Sequence, residues 1–223
     1  MNTSTQTRVT RIVMAALFGV LAYLCTLIFH LKVGFLTFDI KDAVLSLAGM
    51  LFGPIAALCS TVIAVLIEAI SISSTGPYGT IMDAISSLTF VLPISLIYTF
   101  RRRLSFAAIG LTLSVLLMTS AMMLANLLIT PLYMGVSGAE VAALIPTLLL
   151  PFNLTKAILN AGVVLMIYKP ISEIMRRAGL HGRAKKEEHF TFTFMSALVI
   201  GIGLLLVVLA ALYFVLEMGA TLG

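Results

Sequence analysis

The sequence predicts an all-α integral membrane protein, with a core of six transmembrane helices and one appended C-terminal helix. Of its 223 residues, 61% are hydrophobic and only 10% are charged, and the mean hydropathy is +1.14. Soluble domains carry about 25% charged residues, so most of this surface is expected to face the lipid bilayer. The net charge is +5, and the basic residues lie in short connections between apolar runs. This placement indicates that they set the orientation of membrane helices and do not bind nucleic acid.

Apolar runs long enough to cross a bilayer recur along the chain. A helix that rises ~1.5 Å per residue needs ~20 residues to span the hydrocarbon layer. Five runs fit one span each, at residues 12–29, 79–100, 105–129, 146–168 and 191–216.

The remaining run, at residues 43–70, is too long for one simple span and contains Gly53 and Pro54 at its middle. Glycine followed by proline breaks helices. Basic residues form three clusters, at Arg8 and Arg11, at positions 101–103, and between positions 169 and 186. All three clusters fall on one side only if this run forms two short helices, so the positive-inside rule predicts a helix pair and a cytoplasmic N-terminus.

The predicted organisation has three parts, at residues 1–175, 176–190 and 191–223. The first is a membrane domain with core helices at residues 9–29, 40–52, 54–72, 79–100, 105–129 and 151–175. Within it, the segment 131–150 is predicted to be an outer loop with a short helix near 139–149. The second part is a basic linker, and the third carries the appended span.

Polar side chains gather in the outer half of the predicted bundle, and ionisable residues at such depth indicate function. They are Glu68, Asp83, Asn126, Asn153 and Lys156. Asn160 shares a helix face with Asn153 and Lys156, because their spacing is i, i+3, i+7. Lys156 requires an anionic partner or an acceptor group on a ligand, and Asp83 and Glu68 are the candidate partners. Each residue alone fits helix packing or an interfacial side chain equally well, but convergence from four helices favours a binding site.

Two outer connections lie near this predicted site. Residues 36–42 carry three charges before the second helix and are predicted to form a solvated loop, capped by Asp39 or Asp42. Such a loop, with Thr37 and Phe38, is also suited to act as a lid. Residues 74–79 have the composition of a turn, and the backbone at Gly79 is a further candidate for ligand contact.

Small residues line one face of the first predicted span, at Ala15, Ala16 and Gly19. Small side chains allow another helix to approach closely. Inside the chain this face would be ordinary packing, whereas on an outward face it would dock a partner membrane protein.

The sequence lacks the signatures of several other classes. It has no P-loop, so the chain is not expected to hydrolyse ATP itself. Its three histidines are dispersed, so neither a metal site nor a cofactor is expected. An intramembrane enzyme or scaffold is weakly supported, and a stand-alone secondary transporter with a proton relay through Asp83, Glu68 and Lys156 stays open.

A series of short motifs runs through residues 9–175. They are Phe38-Asp39, Leu51-Phe52-Gly53-Pro54, Gly79-x-x-x-Asp83, Leu92-Pro93, Asn126 followed by Pro131 and Tyr133, and Leu150-Pro151-Phe152-Asn153-x-x-Lys156. In this order they resemble the substrate-binding S components of energy-coupling factor (ECF) vitamin transporters, and most closely the riboflavin-binding branch. The last motif is the most specific.

The resemblance implies a six-helix S component that binds riboflavin at the outer face of the cell membrane. In that branch an asparagine on the fifth helix and an Asn-x-x-Lys on the sixth contact the flavin, and these roles fall here to Asn126, Asn153 and Lys156. The first outer loop, around Thr37 and Phe38, would help to cover the ligand.

The same resemblance implies the partners: a transmembrane coupling protein and two cytoplasmic ATPases, which consume the ATP. Ala15, Ala16 and Gly19 would then face the coupling protein. The chain departs from its relatives at Asp83, where an asparagine is expected, at Thr61 and Ala64 on the third helix, and in the added span. These departures leave another vitamin or precursor as the alternative ligand.

Overall fold

The computed structural model describes residues 3–29, 31–33, 35–72, 76–178, 194–213 and 216. The helices in these ranges are α1 (Thr3–Ile28), α2 (Lys41–Phe52), α3 (Pro54–Ser71), α4 (Gly76–Phe100), α5 (Leu104–Met134), α6 (Gly138–Leu144), α7 (Leu150–Arg177) and α8 (Phe194–Tyr213). A π-helical segment, Ile145–Leu149, joins α6 to α7. Two short strands, β1 (Leu31–Val33) and β2 (Leu36–Phe38), pair antiparallel between α1 and α2, with Leu31 opposite Phe38.

The predicted helical membrane class is confirmed, whereas the predicted count of six core spans is not. Within the described part of the chain, five segments are long and apolar enough to cross a bilayer: Arg8–Ile28, Pro54–Ser71, Gly76–Phe100, Ser105–Met134 and Gly138–Met175. With 12 residues, α2 is shorter than the ~20 residues that a simple span requires. The apolar part of α8, Ala197–Tyr213, is also shorter than the five spans.

The predicted break at Gly53 and Pro54 is confirmed. The backbone of Gly53 has φ 100°, a conformation that side chains disfavour, and α3 begins at Pro54. A Cβ atom at Gly53 would meet nothing within 4 Å, so the backbone angle and not a lack of space requires glycine here. Pro54 suits the first turn of α3, because its missing N–H would have no partner inside the helix.

Helix α2 is the centre of the bundle. All of its residues are buried, and it packs against α1, α3, α4 and α7. The surrounding helices instead expose large apolar side chains, such as Ile55, Ile70 and Phe100, to the region that lipid would occupy. The core around α2 includes Leu45, Phe90 and further apolar residues with no exposed surface.

The predicted outer loop at 131–150 is largely wrong, because most of this segment is helical. Helix α5 continues through Pro131 to Met134 and ends at Gly135, whose φ is 68°. Membrane helices tolerate an internal proline, because neighbouring groups can satisfy the backbone carbonyl that the proline leaves without a partner. Pro131 therefore does not end α5. The short helix predicted near 139–149 is present as α6, where the hydroxyl of Ser137 accepts a hydrogen bond from the backbone N–H of Glu140.

The predicted turn at 74–79 is also shorter than expected. Residues 76–79 form the first turn of α4, with Pro77 close to its start. Positions 74 and 75 lie outside the described residues. Proline near the first helical position explains why the turn composition leads directly into a helix.

The appended helix α8 packs closely on α7. A Cβ atom on Gly203 would lie 2.7 Å from the carbonyl oxygen of Gly162, and one on Gly162 would lie 2.8 Å from the carbonyl oxygen of Gly203. Gly203 therefore makes the close contact, whereas a Cβ atom on Gly201 would have no neighbour within 4 Å. Of the predicted linker, positions 179–190 lie outside the described residues, as do 191–193, 214–215 and 217–223 of the predicted span and tail.

Candidate functional site

A cavity of about 140 Å³ opens at the end of the bundle that carries the β-hairpin. One water molecule needs roughly 10–15 Å³ in the same measure, so there is room for a small organic molecule. The hairpin and the ends of five helices contribute its walls. The lining residues are Thr26, Phe35, Leu36, Thr37, Asp39, Val65, Glu68, Ala69, Ile72, Gly79, Thr80, Met82, Asp83, Ser86, Met122, Tyr133, Phe152, Asn153 and Lys156.

One side of the cavity is built around the ion pair between Lys156 on α7 and Asp39 before α2. Nζ of Lys156 lies 2.7 Å from Oδ2 of Asp39 and also donates to the carbonyl oxygen of Thr37 at 3.3 Å. Burial raises the pKa of Asp39, but the nearby ammonium groups of Lys156 and Lys41 outweigh it, so this pKa lies below its ordinary value. The predicted pairing of Lys156 with Asp83 or Glu68 is therefore wrong.

The opposite side is built around Lys41, the first residue of α2. Its Nζ donates to Oε2 of Glu68 on α3 and to both carboxylate oxygens of Asp83 on α4, each at 2.6 Å. The hydroxyl of Thr26 on α1 completes the network by donating to Oε1 of Glu68 at 3.0 Å. Four helices thus meet in one buried polar network, and such a network is stable only when its groups are paired.

The predicted solvated loop before α2 is wrong. Asp39 is 2% exposed, and Lys41 and Asp42 are 0% exposed. The loop is short and leads directly into the central helix α2. Its charged side chains are therefore buried with the first turn of that helix. The sequence prediction does not include Lys41 among the site residues, although two features indicate it: Glu68 and Asp83 need a cation at their depth, and Lys41 lies within the predicted lid.

Asn160 holds the first turn of α2 in place. Its Oδ1 accepts from the backbone N–H of Ala43 at 2.8 Å, and its Nδ2 donates to the carbonyl oxygens of Asp39 and Lys156, each at 3.0 Å. The free N–H groups of a helix start require such partners. The residue at the N-cap is Ile40, with no side-chain cap, so neither Asp39 nor Asp42 fills the predicted N-cap position. Asn160 does not line the cavity, but its hydrogen bonds fix the positions of Asp39 and Lys156, which do.

The other predicted residues divide between the cavity wall and its surroundings. Thr37, Gly79 and Asn153 line the cavity, as do Glu68, Asp83 and Lys156. Asn126 does not line it: the side-chain amide donates to the carbonyl oxygen of Met122 and accepts from the hydroxyl of Thr130, both on its own helix. Phe38 packs edge-on against Phe152, with ring centroids 5.8 Å apart.

Aromatic rings supply the apolar part of the wall. The rings of Phe35 and Tyr133, both on the cavity wall, meet edge-on with centroids 6.5 Å apart. Tyr78 stacks on Tyr133 at 6.1 Å. Aromatic faces beside hydrogen-bonding groups are suited to hold a planar, polar ligand.

The small residues on α1 pack inside the chain. The hydroxyl of Ser60 on α3 donates to the carbonyl oxygen of Ala15 at 2.9 Å, and a Cβ atom on Gly19 would lie 2.9 Å from the carbonyl oxygen of Ser60. Ala16 is half-buried. Ala15 and Gly19 thus contact α3, and docking of a partner at this face stays a prediction.

A polar cavity at one end of a bundle of apolar helices is the arrangement expected of a membrane-embedded protein that binds a small molecule. Residues 10–168 match the family described as "ECF transporter, substrate-specific component", and the chain belongs to that family. It is therefore a transporter subunit and not an enzyme. Substrate-specific components work with an ECF module, made of a coupling protein and ATPases, and bind a vitamin-type substrate.

The fold is similar to a solved structure described as the S component of a bacterial ECF transporter. The TM-score is 0.64 at 22% sequence identity, and the similarity covers 76% of this chain and 99% of that chain. No curated protein matches the sequence. Helix α8 lies beyond the residues that match the family.

Proposed function

We propose that this substrate-specific component captures riboflavin at the extracytoplasmic face of the cell membrane and delivers it through an ECF module. The observation that carries the proposal is the position of Asn153 and Lys156, which share one wall of the cavity. They belong to the motif that resembles the riboflavin-binding branch. Thr37, in the predicted lid, lines the same cavity and its carbonyl oxygen accepts a hydrogen bond from Lys156.

The chemistry of the cavity supports a flavin. Riboflavin has a planar ring with an edge of carbonyl and imide groups, and a ribityl chain rich in hydroxyls. The ammonium of Lys156 and the amide of Asn153 can donate to ring carbonyls, while Glu68 and Asp83 can accept from hydroxyls. Phe35 and Tyr133 offer aromatic contact to the ring.

The proposed transport cycle requires partners. A transmembrane coupling protein and two cytoplasmic ATPases supply the energy, with α1 and its residue Ala16 as the candidate contact. In this proposal the N-terminus is cytoplasmic and the core has six spans, with α2 as the short one. Asn126 lies outside the cavity lining, with its side chain hydrogen-bonded to its own helix, so a direct ligand contact requires it to turn towards the cavity.

The proposal is tested by titrating riboflavin with the purified full-length protein in detergent. Because the chain has no tryptophan, quenching of the flavin's own fluorescence is the clean signal. We expect saturable binding by the parent protein and by a control variant, Glu140→Gln on α6. Absence of quenching, together with absence of any riboflavin-dependent rise in thermal stability, would remove riboflavin as the ligand.

A second candidate is proton-coupled transport by the chain alone, for which the Lys41, Glu68 and Asp83 network is the specific feature. Liposomes that contain only this chain, with a pH gradient and radiolabelled riboflavin, separate the two. Uptake without ATPases favours this alternative. Uptake only after the ECF module is added supports the leading proposal.

A further inference from the structure

The cavity is surrounded by more carboxyl groups than ammonium groups. Among the described side chains that line the cavity or are buried beside it, the carboxyl groups belong to Asp39, Asp42, Glu68 and Asp83, and the ammonium groups to Lys41 and Lys156. The charges of Lys156 and Asp39 cancel within their ion pair. The single positive charge of Lys41 is shared between the carboxyl groups of Glu68 and Asp83. Asp42 is a further buried carboxyl group.

A ligand would meet the acidic members of this network first. Glu68 and Asp83 line the cavity, with side-chain exposures of 12% and 23%, whereas Lys41 is 1% exposed and lies behind them. Each of the four carboxylate oxygens of Glu68 and Asp83 already accepts one hydrogen bond, from Lys41 or Thr26, and each can accept a further one from a ligand. Ionised carboxylates only accept hydrogen bonds.

We propose that the Glu68 and Asp83 wall makes the cavity selective for uncharged or cationic ligands that carry hydroxyl or amine donors, and makes it reject their phosphate esters. This inference rests on the proposed capture of a vitamin-type molecule and adds its charge class. A phosphate brings a charge of about −1.5 to −2 at neutral pH, and like charges in a site of low dielectric repel strongly. A hydroxyl or amine instead satisfies the carboxylate lone pairs.

The test compares vitamins with their phosphate esters, which differ in charge but share a ring. Isothermal titration of the purified full-length protein is carried out with riboflavin and flavin mononucleotide, thiamine and thiamine monophosphate, and pyridoxal and pyridoxal phosphate. We expect at least one parent vitamin to bind and its ester to bind at least about tenfold more weakly, a difference of ~1.4 kcal/mol.

Substitutions locate the selectivity. Asp83→Asn and Glu68→Gln keep the side-chain shape and remove one negative charge each, so each should narrow the gap between parent and ester severalfold. Glu140→Gln, which removes a charge from α6 outside the cavity lining, should leave the gap unchanged. Thermal unfolding of each variant confirms that the measured protein is folded.

The outcomes separate this inference from the identity of the ligand. Equal binding of riboflavin and flavin mononucleotide keeps riboflavin as the ligand and overturns the charge selectivity. Binding of thiamine or pyridoxal, but not of riboflavin, with rejection of the ester, keeps the selectivity and overturns riboflavin. Absence of binding by all three parent vitamins contradicts the inference outright. An unchanged gap in both cavity variants contradicts the role of Glu68 and Asp83.

Discussion

Nζ of Lys156 lies 2.7 Å from Oδ2 of Asp39, so a lysine from α7 and an aspartate from the loop after β2 form a buried ion pair. The contact joins the hairpin to the bundle across more than a hundred residues of chain. Lys156 also holds the carbonyl oxygen of Thr37. Lys156 therefore lines the cavity and also holds the hairpin in position beside it.

Removing one partner of this pair should destabilise the fold. Asp39→Asn removes the carboxylate that is hydrogen-bonded to the buried ammonium of Lys156, and breaking a buried pair in this way costs about 3–5 kcal/mol. Unfolding by denaturing detergent, followed by far-ultraviolet circular dichroism, measures the loss. The double variant Asp39→Asn/Lys156→Met should lose less than the sum of the two single variants. Additive losses would show that the two side chains do not interact.

Lys156 is also expected to bind the ligand. Lys156→Ala should weaken riboflavin binding by roughly 1–3 kcal/mol, because a hydrogen bond from a charged donor is lost. The dissociation constant from flavin fluorescence quenching checks this, at a temperature where the variant is folded. The control variant Glu140→Gln should bind as the parent does. Equal affinity of Lys156→Ala and the parent would remove Lys156 from the site.

Lys41 should matter more for stability than its position at a helix start implies. Lys41→Met leaves Glu68 and Asp83 as unpaired, partly buried carboxylates, and we expect a loss of about 3 kcal/mol or more. Adding Glu68→Gln and Asp83→Asn to this variant should recover much of the loss, because no unpaired charge then remains. The same detergent titration measures both proteins, and a triple variant less stable than Lys41→Met would refute the network.

The contact between α7 and α8 offers a matched pair of glycines. Gly203→Leu should force α8 away from α7, because even a Cβ atom there would lie 2.7 Å from the carbonyl oxygen of Gly162. Gly201→Leu should be tolerated, since nothing lies within 4 Å of a Cβ at that position. Cysteine crosslinking between the two helices reports their contact. Crosslinking that is equally efficient in both leucine variants would contradict the close packing.

The turn between α2 and α3 can be tested in the same way. Gly53→Ala places a side chain on a backbone with φ 100°, which costs of order 1–3 kcal/mol. Gly138→Ala is the control, because Gly138 has open space around it and lies at the start of a helix. Thermal unfolding should show a loss for the first variant and little change for the second. A similar melting temperature for both would mean that the turn adapts without strain.

Features that depend on local composition could be predicted from the sequence. The break at Gly53 and Pro54 follows from backbone chemistry and charge placement, and the gathering of Glu68, Asp83 and Lys156 at one end follows from their depth in predicted spans. Partners across helices could not be predicted in this way, because spacing along a chain orders residues on one helix but does not say which neighbour each one meets. For this reason the predicted partners of Lys156, Glu68 and Asp83, are wrong, and its partner is Asp39.

Three further differences between prediction and structure have other causes. Strands of three residues, Leu31–Val33 and Leu36–Phe38, are too short to show an alternating pattern. The charges of Lys41 and Asp42 indicate solvent in an isolated sequence, but the helix that they begin is enclosed by four others. Pro131 marks a loop in soluble proteins, whereas a membrane helix continues through it.

The enclosure of α2 bears on how the protein enters the membrane. A helix of 12 residues extends about 18 Å, well short of a bilayer core of about 30 Å, and it begins with two charged residues. Such a segment gains little by partitioning into lipid on its own. Three of the helices that bury it, α3, α4 and α7, are synthesised later. Insertion of this protein is therefore a folding reaction as well as a partitioning one, in which the ribosome has almost finished the core before its central helix acquires its final surroundings.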